Sequence, residues 1–568
     1  MTERNHTIKG LDSMLHAFQG RLFMNTSPTA LFMAFADWAC HFLNSPEKQI
    51  SSLEALTQGF IETVNLGFPG ANTESLKKDP RFKHPAWEKM PFRSYAATFL
   101  AAEKFGQFLM NDVNGMTKHH EEMMCFIVRQ LFLSLSPSNF ISSNPELLEQ
   151  TLSEKGANLI RGYFNYLEDV SLVTQGRKPV GTDAYNVGTN LAVTPGKVVY
   201  KNNLIELIRY NPATKTVHPE PVLIVPAWIM KYYILDLSPE NSLVRFLVSQ
   251  GHTVFIISWK NPGAEERSLS MTDYMKLGVI EALDAVNRQC PGRKIHSVGY
   301  CLGGTLLVIA AAYLMNKGRD FLKTMTLLAA QTDFTEAGEL TLFIDDSQVS
   351  FLEDLMNRQN YLKTDQMAGA FRLLRSNDLI WHTIIHDYFK GERSPVTDLM
   401  AWNADPTRMP YTMHSEYLRS LFLKNDLFEG RYRVDGVPIA ISNIHAPVFL
   451  VGTRNDHVAP WHSVYKFLLP SDAESVTFVL TSGGHNAGIV SEPGHPGRSY
   501  QITVRNEGDT YMDPKTFTET TPVTTGSWWI PWQKWLADHS GPKTTPPPFI
   551  KDSPRVLPDA PGEYVLEP

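Results

Sequence analysis

The sequence predicts an α/β fold built on a mainly parallel sheet, preceded by a mainly helical region. Three observations carry this. From about residue 180 onward, short apolar β-prone runs alternate with helical stretches; before it the pattern is helical; and one β-prone run ends in a glycine-rich turn with one polar residue at its centre. Continuous apolar strands separated by helices mark a parallel sheet, because the crossover helices cover both of its faces.

With 568 residues the chain exceeds one ordinary domain, and two folding units are expected. A hydrophobic fraction of 43% beside 20% charged residues is that of a globular protein rather than a disordered one. The formal charge of −7, without a basic run beyond Lys77-Lys78, excludes nucleic acid as the expected partner. The four cysteines (Cys40, Cys125, Cys290, Cys301) show no CxxC or Cys/His ligand spacing, so neither a disulfide framework nor a metal site is expected. The first ten residues are polar and charged with no apolar stretch behind them, which is unlike a secretory signal, and a cytoplasmic location is expected. The longest strongly apolar run, Leu306 to Met315, falls well short of the roughly 20 residues that span a bilayer.

Residues 1–180 are expected to form a helical domain. Met14 to Phe23, Ala30 to Trp38, Tyr95 to Met110 and Glu121 to Leu133 place apolar residues three and four apart. Pro80, Pro137 and Pro145 punctuate the pattern, since proline and the residue before it resist helix continuation. The aromatic and methionine stripes read as core, with contact to an apolar surface as the alternative. Residues 181–568 are expected to form the second domain. Its strands are Lys197 to Tyr200, Leu204 to Tyr210, Val222 to Val225, Thr253 to Ser258, Ile295 to Tyr300, Met325 to Ala329, Pro447 to Gly452 and Val476 to Leu480; helices are expected over Ser242 to Gln250 and Met271 to Asn287. Residues 334–440 interrupt this alternation and read as a lid or an ordinary helical subdomain. Ser527 to Trp535 predicts a last helix, and Pro542 to Pro568 an irregular tail, clasping the surface or loose.

The chemistry is concentrated at His296-Ser-Val-Gly-Tyr-Cys-Leu-Gly-Gly-Thr305. A strand, a sharp turn and a helix in succession form a nucleophile elbow when small residues flank the central one. Here the central residue is Cys301, and the N-terminal end of the following helix favours a thiolate. A buried structural cysteine is the competing reading. Gly303 and Gly304 are expected to leave room beside the thiol. Asp456 and His485 each stand just beyond a later predicted strand, giving the order Cys, Asp, His. That is the chain order of α/β-hydrolase triads, in which imidazole activates the nucleophile and carboxylate fixes its tautomer. The expected architecture is therefore an α/β-hydrolase fold with a lid insertion. The N–H of Leu302 is the expected first oxyanion donor, and that of Ala227 or Trp228 the second. His457 and Trp461, beside Asp456, suit packing and hydrogen bonding.

Gly299-Tyr-Cys-Leu-Gly-Gly304, Asn455-Asp-His457 and Gly483-Gly-His-Asn-Ala-Gly488 resemble the motifs of polyhydroxyalkanoate synthases, the cysteine-dependent polyester polymerases. Tyr233 to Ser242, Ser258 to Pro262, Met271 to Tyr274, Ala401 to Pro410 and Pro561 to Glu567 are similar to further segments of that family. The likeness covers about residues 80 to 568; Lys260 stands where arginine is usual, and the first 80 residues are the least family-like.

The resemblance implies an acyltransferase that polymerises (R)-3-hydroxyacyl-CoA, of short chain length such as 3-hydroxybutyryl-CoA, with release of CoA. Cys301 would form the acyl-enzyme with His485 as base, and Asp456 would orient His485 or act on the incoming hydroxyl. Arg375 is a candidate for CoA phosphates, and Trp402 and His457 for other substrate contacts. The family likeness also implies no cofactor apart from the CoA carried by the substrate, a single-subunit type of synthase, a homodimer, and a place at cytoplasmic polymer granules. A polyester depolymerase or thioesterase on the same triad, or a non-catalytic granule-coat protein, are the alternatives.

Overall fold

The structure, a computed structural model, describes residues 15–16, 19–20, 26–67, 74–364, 366, 376, 380–550 and 557–568. The chain divides into two units, one made of residues 1–17, 182–365 and 396–568, the other of residues 18–181 and 366–395. Residues 366–395, expected inside the insertion, belong instead with the helical unit. Polar contacts explain this. Arg393 pairs with Asp169 at 2.9 Å, Lys390 with Glu146 at 2.8 Å, and the backbone oxygen of Phe389 accepts from Asn158 at 2.8 Å.

In the helical unit, Pro28–Leu43 opens on Ser27, whose hydroxyl accepts from the N–H of Ala30, and Pro145–Ser153 opens on Asn144 in the same way. Proline at the first helical turn needs no N–H partner there, which is why Pro28 and Pro145 begin helices rather than break them. Phe92–Met110 and Lys118–Leu135 coincide with two predicted helices, whereas the 22-residue helix Pro46–Gly67 and the helix Ala157–Thr174 had no comparable apolar signal. Most of the predicted helix Met14 to Phe23 lies outside the described residues. The core of this unit gathers Leu76, Phe82, Trp87, Ala96, Ala97 and Phe99.

The other unit is organised by a ten-stranded sheet. Its strands are β1 Gly196–Lys201, β2 Ile205–Tyr210, β3 Val222–Val225, β4 Val254–Trp259, β5 Ile295–Tyr300, β6 Leu322–Leu328, β7 Val448–Thr453, β8 Ser475–Thr481, β9 Ser499–Asn506 and β10 Thr524–Thr525, in the spatial order β1-β2-β4-β3-β5-β6-β7-β8-β9-β10. The run from β4 to β8 is parallel, and β1, β2, β9 and β10 are antiparallel edges. The six residues of β4, β5 and β7 are all buried, the signature of strands covered on both faces. The strand β9 escaped the sequence reading because only Gln501 of its residues is buried, and Thr503 to Asn506 are polar or exposed.

Register fixes where a site can be. Tyr300 at the end of β5 pairs with Leu328, Leu328 with Val451, and Val451 with Val479. The carboxyl ends of β5, β7 and β8 therefore form one level edge, where open α/β sheets place their ligands. The insertion between β6 and β7 contains helices Asp346–Gln359, Asp398–Asn403 and Tyr411–Glu416 and the π-helical turn Tyr417–Leu423.

The tail clasps this unit. Glu206 accepts from the N–H groups of Glu563 and Tyr564 at 2.8 and 2.9 Å, and the N–H of Val217 donates to Thr544 at 2.8 Å. Among the described residues, no helix is long and apolar enough to cross a membrane.

Candidate active site

Cys301 stands between β5 and the helix Leu302–Asn316 with φ 52° and ψ −126°. A residue with a Cβ rarely adopts positive φ, and the conformation persists because its surroundings dictate it. The N–H of Cys301 donates to Leu328 at 2.9 Å, continuing the sheet, while its carbonyl accepts from Gly304 at 2.9 Å, starting the helix. The turn is tight enough to demand glycine on both sides. A Cβ on Gly299 would lie 2.3 Å from the Cα of Gly304, and one on Gly303 would lie 2.1 Å from the carbonyl oxygen of Val225. This corrects the expectation that Gly303 and Gly304 leave room beside the thiol: the space at Gly303 is filled by the β3 backbone, and that at Gly304 by the Cβ of Ala330, 2.4 Å away.

Asp456 follows β7 by three residues and is buried. Its Oδ1 accepts from the N–H groups of Val458 and Ala459 at 2.9 and 2.8 Å; its Oδ2 accepts from the hydroxyl of Thr453 at 2.7 Å and faces His485 Nδ1 at 2.8 Å. Burial opposes ionisation of this carboxyl, but His485 and the three donors outweigh it, and its pKa lies below the ordinary value. His485 follows β8 and faces Asp456 on one side and Cys301 on the other. Burial disfavours its imidazolium, yet the carboxylate, the sulfur and the hydrogen bonds to both push its pKa well above the ordinary one. The three side chains thus come from three strand ends to one place.

The histidine loop is fixed from beneath. Tyr300 stacks on His485 with centroids 5.7 Å apart, and its hydroxyl donates to Asn486 at 2.7 Å. Trp528 and Trp529 donate their indole N–H groups to the carbonyls of Gly488 and Ile489 at 3.0 and 2.9 Å. Burial raises the pKa of Tyr300 and of Tyr417 in the insertion, and the charge of Cys301 adds to both. Neither tyrosine was singled out by sequence. Tyr300 sat inside the quoted motif; Tyr417 had no motif at all.

Leu302 is the first residue of its helix, so its N–H has no intrahelical acceptor. The loop after β3 reaches the elbow through the contact of Val225 and Pro226 with Gly303, and among the described residues the N–H groups of Ala227 and Trp228 meet no acceptor. Trp402 is buried and donates its indole N–H to the carbonyl of Lys231 at 2.7 Å, so it supports this loop. His457 is exposed beside Asp456, while Trp461 is buried against Phe478. Arg375 lies outside the described residues. Lys260 pairs with Glu266 at 2.6 Å.

Residues 220–491 match the family described as the alpha/beta hydrolase fold. Residues 78–247 match the N-terminus of poly-beta-hydroxybutyrate polymerase, and residues 6–48 match a second N-terminal family of the same polymerase. The second match extends the family likeness into the first 80 residues. Over 536 residues the chain is 38% identical to a poly(3-hydroxyalkanoate) polymerase of Methylorubrum extorquens, covering 92% of this chain and 88% of the relative. It is 35% identical over 498 residues to the poly(3-hydroxyalkanoate) polymerase subunit PhaC of Cupriavidus necator, covering 86% and 83%. Among solved structures, a monoacylglycerol lipase of Paleococcus ferrophilus aligns at 14% identity with a TM-score of 0.32, over 59% of this chain and 99% of that one.

Sheet, elbow and strand-end loops define a protein of the α/β-hydrolase fold with cysteine at the elbow and a helical region before it. The chain belongs to the poly(3-hydroxyalkanoate) polymerase family, and it is an acyltransferase.

Proposed function

We propose that the protein polymerises (R)-3-hydroxyacyl-CoA, with 3-hydroxybutyryl-CoA as its substrate, through an acyl-enzyme on Cys301. The observation that carries this is the convergence of Cys301, His485 and Asp456, with His485 Nδ1 2.8 Å from the carboxylate. The sulfur, deprotonated by His485, attacks the thioester carbonyl. A bond from Sγ to carbon forms, the bond from carbon to the sulfur of CoA breaks, and the proton held by His485 goes to the departing CoA thiolate. The N–H groups of Leu302 and of Ala227 or Trp228 stabilise the intervening oxyanion. In the second half, a 3-hydroxyl group gives its proton to His485 and attacks the acyl carbon. An ester forms and Cys301 leaves as thiolate.

A thiol suits this sequence because one thioester is exchanged for another of similar energy, leaving the acyl group activated for transfer to a hydroxyl. Asp456 orients His485 in both halves, and a direct role on the incoming hydroxyl remains part of the reading. CoA enters as the thiol half of the thioester substrate and leaves as product, and the reading includes no further cofactor.

The test is direct. Purified protein given 3-hydroxybutyryl-CoA releases CoA together with insoluble polyester, and CoA with free hydroxy acid alone would establish a thioesterase instead. Cys301→Ala folds but makes neither acyl-enzyme nor polymer, and Cys301→Ser is far slower, since a hydroxyl depends wholly on its base. Turnover near wild type in Cys301→Ala would refute Cys301 as the nucleophile, and a wild-type protein that releases no CoA would leave the non-catalytic coat as the reading.

The same reading puts the protein in the cytoplasm at polymer granules, as a homodimer. Attachment to granules is supported by the solvent-facing Phe32, Leu43, Ile50, Leu53 and Phe60, each 60–73% exposed on the helices Pro28–Leu43 and Pro46–Gly67. Deleting residues 11–80 should abolish granule attachment.

A further inference from the structure

We propose that Lys231, held by residues Val565–Pro568, positions the loop that carries the second oxyanion donor, so that acylation of Cys301 depends on this latch. The inference rests on the acyl-transfer reading above and adds a positioning residue to it.

The loop 226–231 is fastened through its carbonyls. Pro226 accepts from the indole N–H of Trp259 at 2.9 Å, Trp228 from the hydroxyl of Thr407, Ile229 from the N–H of Thr407 at 3.2 Å, and Lys231 from Trp402 at 2.7 Å. Its N–H groups at Ala227 and Trp228, which meet no acceptor among the described residues, are the ones the chemistry wants. Such donors act only within a few tenths of an ångström of their proper distance from the developing oxyanion, so the loop must be fixed along its length.

Lys231 closes the far end of the loop. Its ammonium, on a side chain only 6% exposed, donates to the carbonyls of Val565 and Glu567 at 2.6 and 2.5 Å and faces Asp405 at 3.6 Å. Asp405 in turn accepts from the hydroxyl of Tyr233 at 2.9 Å. The carbonyl of Pro568 accepts from Asn261 and Arg408 at 2.7 and 3.0 Å. Burying an ammonium against two neutral carbonyls and one carboxylate gains little net stability over an apolar side chain. What it does gain is a single point where the oxyanion loop, the 401–408 segment and the tail are held together, and an apolar residue would not define that point.

The test compares two reactions of the same thiol in the full-length protein. Alkylation of Cys301 by iodoacetamide needs the sulfur and His485 but no oxyanion donor; acylation by 3-hydroxybutyryl-CoA needs all of them. In Lys231→Met, and separately in a chain ending at Tyr564, acylation should fall about tenfold or more, while alkylation and KM stay within about twofold of wild type. Lys231→Arg should restore part of the acylation rate. Lys197→Met, which removes only the exposed pairing of Lys197, on β1, with Asp559 of the same tail, should leave acylation unchanged. Wild-type acylation in a folded Lys231→Met protein overturns the latch, and so does an equal fall of acylation and alkylation, which marks a merely structural lysine. Failure of the acyl-transfer reading itself would appear elsewhere, as acylation surviving in Cys301→Ala.

Discussion

Tyr300, the residue immediately before the elbow cysteine, lies with its ring 5.7 Å from that of His485 and inclined to it by 29°. One strand end thus supplies both the thiol and the surface on which the histidine rests. Tyr300→Phe keeps that surface and loses only the bond to Asn486, so it should cost about 1 kcal/mol of stability and change turnover little. Tyr300→Leu removes the flat support, and CoA release should fall about tenfold, since a misplaced imidazole costs rate steeply. Stopped-flow CoA release on both variants checks the contrast.

Asp456→Asn preserves size but inverts the partner of His485 Nδ1. By analogy with other triads, turnover should fall by about two to four orders of magnitude. Its pH dependence follows from the shifts. The carboxylate raises the pKa of His485, so the imidazolium persists to higher pH in the wild type. Without that charge the imidazolium is lost at lower pH, and the limb of the rate profile that reports its loss should move toward acid. A limb left in place would mean that Asp456 does not hold His485's proton.

Much of this was legible in the residues. The elbow showed because glycine, one polar residue and two glycines between an apolar strand and an apolar helix have few other uses, and Asp456 and His485 showed because each stands just past a mostly apolar run, Val448 to Val451 and Val476 to Leu480. Tyr417 was invisible because the charge of Cys301 acts on it from across the fold, through tertiary folding alone. Lys231 was equally silent: nothing local says that a lysine near a strand end will be buried by a tail more than three hundred residues later. The grouping of residues 366–395 with the helical unit depends on ion pairs such as Arg393 with Asp169, which leave no periodic trace in sequence.

Gly303→Ala should be more damaging than its size suggests. The new Cβ would sit 2.1 Å from a carbonyl oxygen of β3, a backbone atom that cannot swing aside. Overpacking of this kind costs about 1–3 kcal/mol, and relief requires moving either the elbow helix or the start of the oxyanion loop. Thermal melting should fall accordingly, and acylation should fall further than alkylation of Cys301. Unchanged melting and acylation would show that the elbow accommodates the methyl group.

Acid should destabilise the sheet from its opposite edge. His252 and His296 precede β4 and begin β5, and burial, with neighbouring histidine and lysine charges, pushes the pKa of each down to about 3. His252 stacks on His218 at 4.7 Å with both of its ring nitrogens buried and unpartnered. Both histidines are therefore neutral in the folded chain and titrate near their ordinary value of about 6.5 once unfolded. A lowered folded pKa contributes stability above the ordinary value and loses it as pH falls, because the unfolded chain takes up protons that the folded chain refuses. Between about pH 7.5 and about pH 5.5 each histidine should remove about 1.4 kcal/mol. His252→Leu deletes one of the two, so urea unfolding at both pH values should show a loss smaller by about that amount. An equal loss in wild type and variant would show that His252 is already charged, or already bonded, in the folded chain.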